Sequence, residues 1–120
     1  MKPATSPLGA SILLAGLTFA CGCQRLPPSK PVSQLTAQEL AGRQVFLRLC
    51  AKCHYPTSTR GLYGPGLEGV FRRPYLHNGA PANDERVTAE IWNGHGMMPA
   101  FGNQLDDRQL TDLLAYLHTL

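Results

Sequence analysis

The sequence predicts an all-α fold of about three helices joined by long Gly/Pro-rich loops. Three observations predict it. Two segments open with the reciprocal capping pattern that starts helices. A third carries apolar residues four apart before a glycine stop. The run between Tyr55 and Asn83 has no convincing periodicity and is rich in Gly and Pro. With 120 residues the chain suffices for one domain and not for two. Its 43% apolar and 16% charged content is too apolar and too weakly charged for a disordered chain. A formal charge of +3, from 11 Lys and Arg against 8 Asp and Glu, gives little support for a nucleic-acid binder, which would cluster far more basic side chains.

Residues 1–20 read as a signal peptide. Lys2 is the only charge before Arg25, and an apolar stretch follows from Leu8 to Ala20, broken only by Ser11 and Thr18. That length suits a signal core and is short of the ~18 residues of a membrane span. Leu17-Thr18-Phe19-Ala20-Cys21 resembles a bacterial lipobox, with Cys21 as the lipidated first residue and Cys23 as the alternative. Thr18 and Phe19 depart from the commonest lipobox residues, and ordinary cleavage near Ala20 is the competing reading. Two exposed thiols without partners are a liability in an oxidising compartment, which favours lipidation. Residues 21–33, with Pro27, Pro28 and Pro31, read as a semi-rigid spacer holding the domain off a membrane. The folded domain is expected over 34–120.

The first helix is expected from Thr36, with Glu39 completing a capping box and Leu35 and Leu40 a hydrophobic staple. Leu40, Phe46, Leu47 and Cys50 continue at helical spacing to about Lys52. A shorter helix is expected over about 84–93, with Val87 and Ile91 apolar and Gly94 closing it in a left-handed conformation. The last helix starts at Asp106 with Gln109 as its box partner, and its stripe is Leu110, Leu113, Leu114 and Leu117, with Tyr116 beside it. A loop of nearly 30 residues is unusual inside a small domain, and becomes reasonable if it wraps something large and apolar.

Cys50-Ala51-Lys52-Cys53-His54 supplies that object. C-x-x-C-H is the attachment signature of c-type haem. Two thiols three residues apart at a helix end reach the two vinyl groups of one porphyrin edge, and the following His54 projects onto the iron. A thioredoxin-like dithiol would want a βαβ pattern, and none is visible. A structural zinc would want a second ligand pair, whereas the other cysteines lie in the export region and His77, His95 and His118 are unpaired.

Downstream of the motif the chain resembles the class I monohaem cytochrome c family. Gly42 and Phe46 precede the haem motif, and Gly64-Pro65-Gly66-Leu67 matches the family's loop element. Met98-Pro99-Ala100-Phe101 matches its ligand segment, and Leu113 with Tyr116 its last helix. The match covers about residues 38–120. The resemblance implies a cytochrome c-like fold around one haem c, covalent through Cys50 and Cys53. It makes His54 the proximal and Met98 the distal iron ligand, with Met97 and His95 as competitors. Pro99 restricts Met98 to extended geometry, which favours Met98. The family's Pro carbonyl accepts a hydrogen bond from the ligating His, so Pro65 would orient His54; a plain turn is the alternative. Leu67 and Phe101 are expected against the porphyrin. Trp92 is expected to line the haem, bond a propionate or simply fill the core. Tyr63, Tyr75, Arg60 and Arg72 are propionate candidates by type only. Arg72-Arg73 is expected to be solvated surface, and His77 and His118 to be exposed.

The implied function is a single-electron carrier, not an enzyme, exported to the periplasmic side and membrane-anchored as a lipoprotein. Its partners would be a transient redox donor and acceptor. A haem subunit of a larger dehydrogenase or oxidase complex is the alternative. A sensor or peroxidase would need an open iron position, against which Met98-Pro99 argues. A domain this small usually needs a staple, a metal or a cofactor, and several hundred Å² of porphyrin surface is worth on the order of 5–10 kcal/mol of burial.

Overall fold

The computed structural model describes residues 26–120 and, apart from them, Met1. The expected export segment and the lipidation candidates Cys21 and Cys23 lie outside the described residues. Among the described residues three α-helices carry the fold: α1 (Ala37–Leu49), α2 (Asp84–Asn93) and α3 (Asp107–Leu117). Single 3₁₀ turns occupy Val32–Gln34 and Val70–Arg72. Among the described residues β pairing is confined to two isolated bridges, Tyr75 with Pro81 and His95 with Met98. No helix among them is long and apolar enough to cross a membrane.

Each long helix starts where its cap dictates. The Thr36 hydroxyl accepts the Glu39 amide at 3.2 Å and the Glu39 carboxylate accepts the Thr36 amide at 2.6 Å. The Asp106 carboxylate accepts the Gln109 amide at 2.7 Å, and the Gln109 side chain returns to the Asp106 amide at 3.2 Å. At α2, the Asn83 side chain accepts the Arg86 amide at 2.9 Å. Gly94 ends α2 with the expected positive φ of 75°, but its ψ of 169° is extended, not left-handed helical.

The helix α1 stops at Leu49, three residues before the expected end. The Ala51 amide reaches back to the Phe46 carbonyl at 3.0 Å, and the Cys50 carbonyl then accepts from Cys53 and His54, each at 3.0 Å. The buried face of α1 is Gly42, Val45 and Phe46, whereas Leu40 and Leu47 are 39% and 45% exposed. Positions 42, 45, 46 and 49 make the stripe toward α3, and Leu40 and Leu47 fall beside it. Of the residues expected at helical spacing, Leu40 and Leu47 therefore lie outside the buried face.

α1 and α3 cross in direct backbone contact. A β-carbon at Gly42 would lie 1.8 Å from the Asp112 carbonyl oxygen and 2.9 Å from the Tyr116 β-carbon, so only glycine fits. Beside that crossing the Phe46 and Tyr116 rings meet at 5.5 Å and 58°. Phe46 and Leu113 are wholly buried, and Val87, Ile91, Phe101, Leu105 and Leu117 complete the core around them.

The last residues of the expected spacer are strapped onto the domain. The Lys30 amide donates to the Thr119 carbonyl at 2.7 Å, and its ammonium pairs with Glu39 at 2.7 Å. Leu26 packs on Gly69, where an added β-carbon would come within 2.7 Å of its side chain. Nearby, His118 meets the Asp84 carboxylate at 2.7 Å and stacks on Phe71 at 3.8 Å and 11°. Arg72 donates to the Leu120 carbonyl and Arg73 to the Glu68 carbonyl. The arginine pair ties backbone together, which corrects the expectation of simple solvated surface.

Candidate haem-binding site

The site is assembled from two segments. The first runs from the end of α1 through the Gly/Pro loop, which folds back on the motif. The Gly64 amide donates to the Cys53 carbonyl at 2.8 Å, and the Leu67 amide to the Tyr55 carbonyl at 2.9 Å. These bonds bring Pro65 over His54. The His54 Nδ1–H donates to the Pro65 carbonyl at 2.8 Å. A carbonyl can only accept, so this bond fixes the Nδ1–H tautomer and leaves the Nε2 lone pair free.

Gly64 and Gly66 are more than turn residues. A β-carbon on Gly64 would sit 2.4 Å from His54 Cε1, and one on Gly66 would sit 2.1 Å from the Ser58 carbonyl oxygen. The imidazole thus rests on bare backbone, and no larger residue leaves room for it.

Cys50 and Cys53 are half-buried and not joined in a disulfide. Burial, and secondarily the neighbouring Cys53, pushes the Cys50 thiol up to about 11. Among the described residues no group of three or more His, Cys, Asp or Glu side chains could hold a metal ion by itself. Two unpaired thiols and an oriented imidazole are the donor set that a covalent haem requires.

The second segment follows α2. His95 and Met98 exchange amide bonds at 3.0 and 2.9 Å, closing a tight turn with Gly96 (φ 57°) at its tip. Met97, the other tip residue, is 87% exposed, whereas Met98 packs against the core. A β-carbon on Gly94 would meet the Met98 carbonyl oxygen at 2.6 Å, so the turn lies flat on the end of α2. The Phe101 and Gly102 amides then bond the Ile91 and Trp92 carbonyls at 2.9 and 3.1 Å. Phe101 is buried in the core, and Trp92 lies half-buried across Gly102.

An open cleft of about 430 Å³ adjoins the first segment, lined by Thr59, Gly61, Tyr63, Gly64, Pro65 and His77. Sequence reasoning left His77 outside the site. The signal was present in Asn78-Gly79, a hairpin-turn dipeptide. Around it the Leu76 amide bonds the Ala80 carbonyl at 2.7 Å, Tyr75 pairs with Pro81, and His77 is carried to the cleft. Of the propionate candidates, Tyr63 lines the cleft, Tyr75 and Arg60 are exposed, and Arg72 is committed to the Leu120 carbonyl. Arg72 is therefore removed from that set.

Residues 37–117 match the family model described as cytochrome c oxidase, cbb3-type, subunit III. A cytochrome c6 of Picosynechococcus sp. is 33% identical over 84 residues, covering 68% of this chain and 72% of its own. The chain belongs to the class I monohaem cytochrome c family. A cytochrome c6 of Tetradesmus obliquus is 31% identical over 64% of this chain and 84% of its own. The cbb3-type oxidase subunit CcoP of Azospirillum sp. is 33% identical over 66% of this chain, but this spans only 27% of that subunit. The solved cytochrome c6 of the diatom Phaeodactylum tricornutum superposes with a TM-score of 0.54 at 24% identity, over 67% of this chain and 90% of its own. That likeness shows the all-α cytochrome c fold. As a member of this family the chain is an electron carrier with one covalent c-type haem, bonded through the thiols of Cys50 and Cys53.

Proposed function

We propose that this cytochrome c holds its iron between His54 and Met98 and passes single electrons between redox proteins without catalysing a substrate reaction. The bond from His54 Nδ1–H to the Pro65 carbonyl carries the reading, because it presents a fixed, electron-rich Nε2 to a metal. The haem supplies an iron that accepts and releases one electron. The chain's residues hold that centre still. Cys50 and Cys53 anchor it, and Gly64 and Pro65 lock the His54 ring. The hydrogen-bonded turn from His95 to Met98 fixes the sulfur's backbone, and Leu67, Trp92 and Phe101 supply apolar surroundings. With His54 and Met98 holding the iron from its two sides, a bound haem would need little rearrangement on electron transfer and would leave oxygen no place to bind.

The export and lipidation of Cys21, or alternatively Cys23, belong to the same proposal, supported by the apolar leader and the lipobox-like Leu17–Cys21 stretch. A place within a larger redox complex is a second reading, favoured by the match to the CcoP subunit. The ligand assignment is tested by measuring the reduction potentials of Met98→Ala and Met97→Ala. Loss of the thioether in Met98→Ala lowers the potential by on the order of 100 mV or more, within the ~0.8 V range that axial ligands command. Met97→Ala stays within a few tens of mV of the parent by the same scale. The reverse pattern assigns the ligand to Met97.

A further inference from the structure

The structure has two poles. At one, the strap from Leu26 to Lys30 meets the N-terminus of α1 through Glu39, the C-terminal end of the chain through Thr119, and the 3₁₀ turn through Gly69. The N-terminus of α2 joins the same cluster, because Asp84 meets His118 and His118 stacks on Phe71. At the other pole lie the C-terminal ends of α1 and α2, which carry Cys50 and the turn from His95 to Met98. Helices of 13 and 10 residues separate the poles by roughly 15–20 Å at 1.5 Å per residue.

Because Leu26 is fixed to the domain, only the residues between it and the lipid can act as a tether. Five residue steps separate Cys21 from Leu26, and three separate Cys23. At most ~3.6 Å per residue, these span no more than about 18 Å or about 11 Å, whatever conformation they adopt. A compact domain of this length is about 30 Å across. The tether therefore keeps the near pole within about 18 Å of the surface that holds the lipid, whereas the far pole can stand roughly 15–20 Å farther out. The near pole also offers apolar groups to an interface, since Leu26 and Val32 are 38% and 53% exposed, with Pro27, Pro28 and Pro31 exposed beside them. The one ammonium of the strap, Lys30, is paired with Glu39.

We propose that the pole carrying Leu26 and Lys30 rests against the lipid bilayer, and that the pole carrying Cys50 and Met98 is turned away from it toward the redox protein. This rests on the reading that Cys21 or Cys23 bears the lipid, and it replaces a domain held off the membrane with one held on it. The anchor sets the orientation as well as the location, so a partner docks from the aqueous side.

The test uses the full-length haem protein, extracted with its lipid and reconstituted into phosphatidylcholine–phosphatidylglycerol vesicles containing a nickel-chelating lipid. Spin labels are placed by Glu85→Cys at the near pole or Asn103→Cys beside the far one. Nickel-induced relaxation several-fold stronger at 85 than at 103 is expected. Equal enhancement, or a stronger effect at 103, overturns the orientation. Inserting about 20 Gly/Ser residues between Arg25 and Leu26 lets the domain turn freely by chain length alone, so the contrast is expected to fade. A contrast that survives insertion overturns the short tether as its cause. Intact mass separates the two levels of failure. A missing acyl chain removes the anchor, and with it this orientation, whereas an acylated protein without contrast retains the anchor and loses only the orientation.

Discussion

At the scale of single residues the site is decided by what is missing as much as by what is present. His54 keeps its place because Gly64 has no β-carbon and because the Pro65 carbonyl accepts its Nδ1–H at 2.8 Å. Gly64→Ala would place a carbon 2.4 Å from the ring, so the imidazole must tilt or the loop must lift. Overpacking of this kind costs about 1–3 kcal/mol. Thermal unfolding of the haem protein is expected at a lower temperature, and the reduction potential should move with it as the bond to Pro65 lengthens. A variant with parent stability and parent potential would show that the loop does not hold the ring. Little of this was hidden in the sequence. The spacing of C-x-x-C-H states its chemistry, whereas Gly-Pro-Gly-Leu gains its meaning only through the resemblance to the family. The turn that carries His77 was legible in Asn78-Gly79, but the cleft it reaches was not, since the flanking pair Tyr75 and Pro81 carries no apolar pattern.

At the scale of elements, capping chemistry was readable from sequence because it is local. Thr36 with Glu39, and Asp106 with Gln109, start their helices at the residues expected. The buried face of α1 was not readable because it depends on α3, and its end was not because the haem motif turns the Cys50 carbonyl to Cys53 and His54. The close approach at Gly42 selects the stripe through Val45 and Phe46, and leaves Leu40 and Leu47 outside. Gly42→Ala is expected to cost about 1–3 kcal/mol by forcing the helices apart, a fall in melting temperature of several degrees for a domain of this size. An unchanged melting temperature would mean that the crossing is looser than described. The strap gives a second prediction at this scale. The hydrogen bond from Lys30, then the Thr36 amide, holds the Glu39 carboxyl below its ordinary 4.5. A lowered native value means that this stabilisation is whole above pH 4.5 and is lost as pH falls through the lowered value. Lys30→Ala should therefore lower stability at neutral pH by a modest amount, as exposed pairs do, and the gap between variant and parent should narrow in acid. A gap that widens in acid contradicts the pairing.

At the scale of the whole molecule the polypeptide core is slight. Among the described residues only Phe46 and Leu113 are large and fully enclosed, while Leu67, Trp92 and Met98 remain partly open. The porphyrin completes that interior, on the order of 5–10 kcal/mol of apolar burial. Replacing both Cys50 and Cys53 by Ala is expected to leave a largely unfolded chain, seen as lost helical circular dichroism. A cooperative unfolding transition in that haem-free variant would show that the helices stand without it. The most direct test of the central claim, an iron closed on both sides by His54 and Met98, is carbon monoxide added to the reduced wild-type protein at neutral pH. No change in the haem spectrum is expected over minutes. Rapid, tight binding would mean that one axial position is open and that this cytochrome does something other than carry electrons.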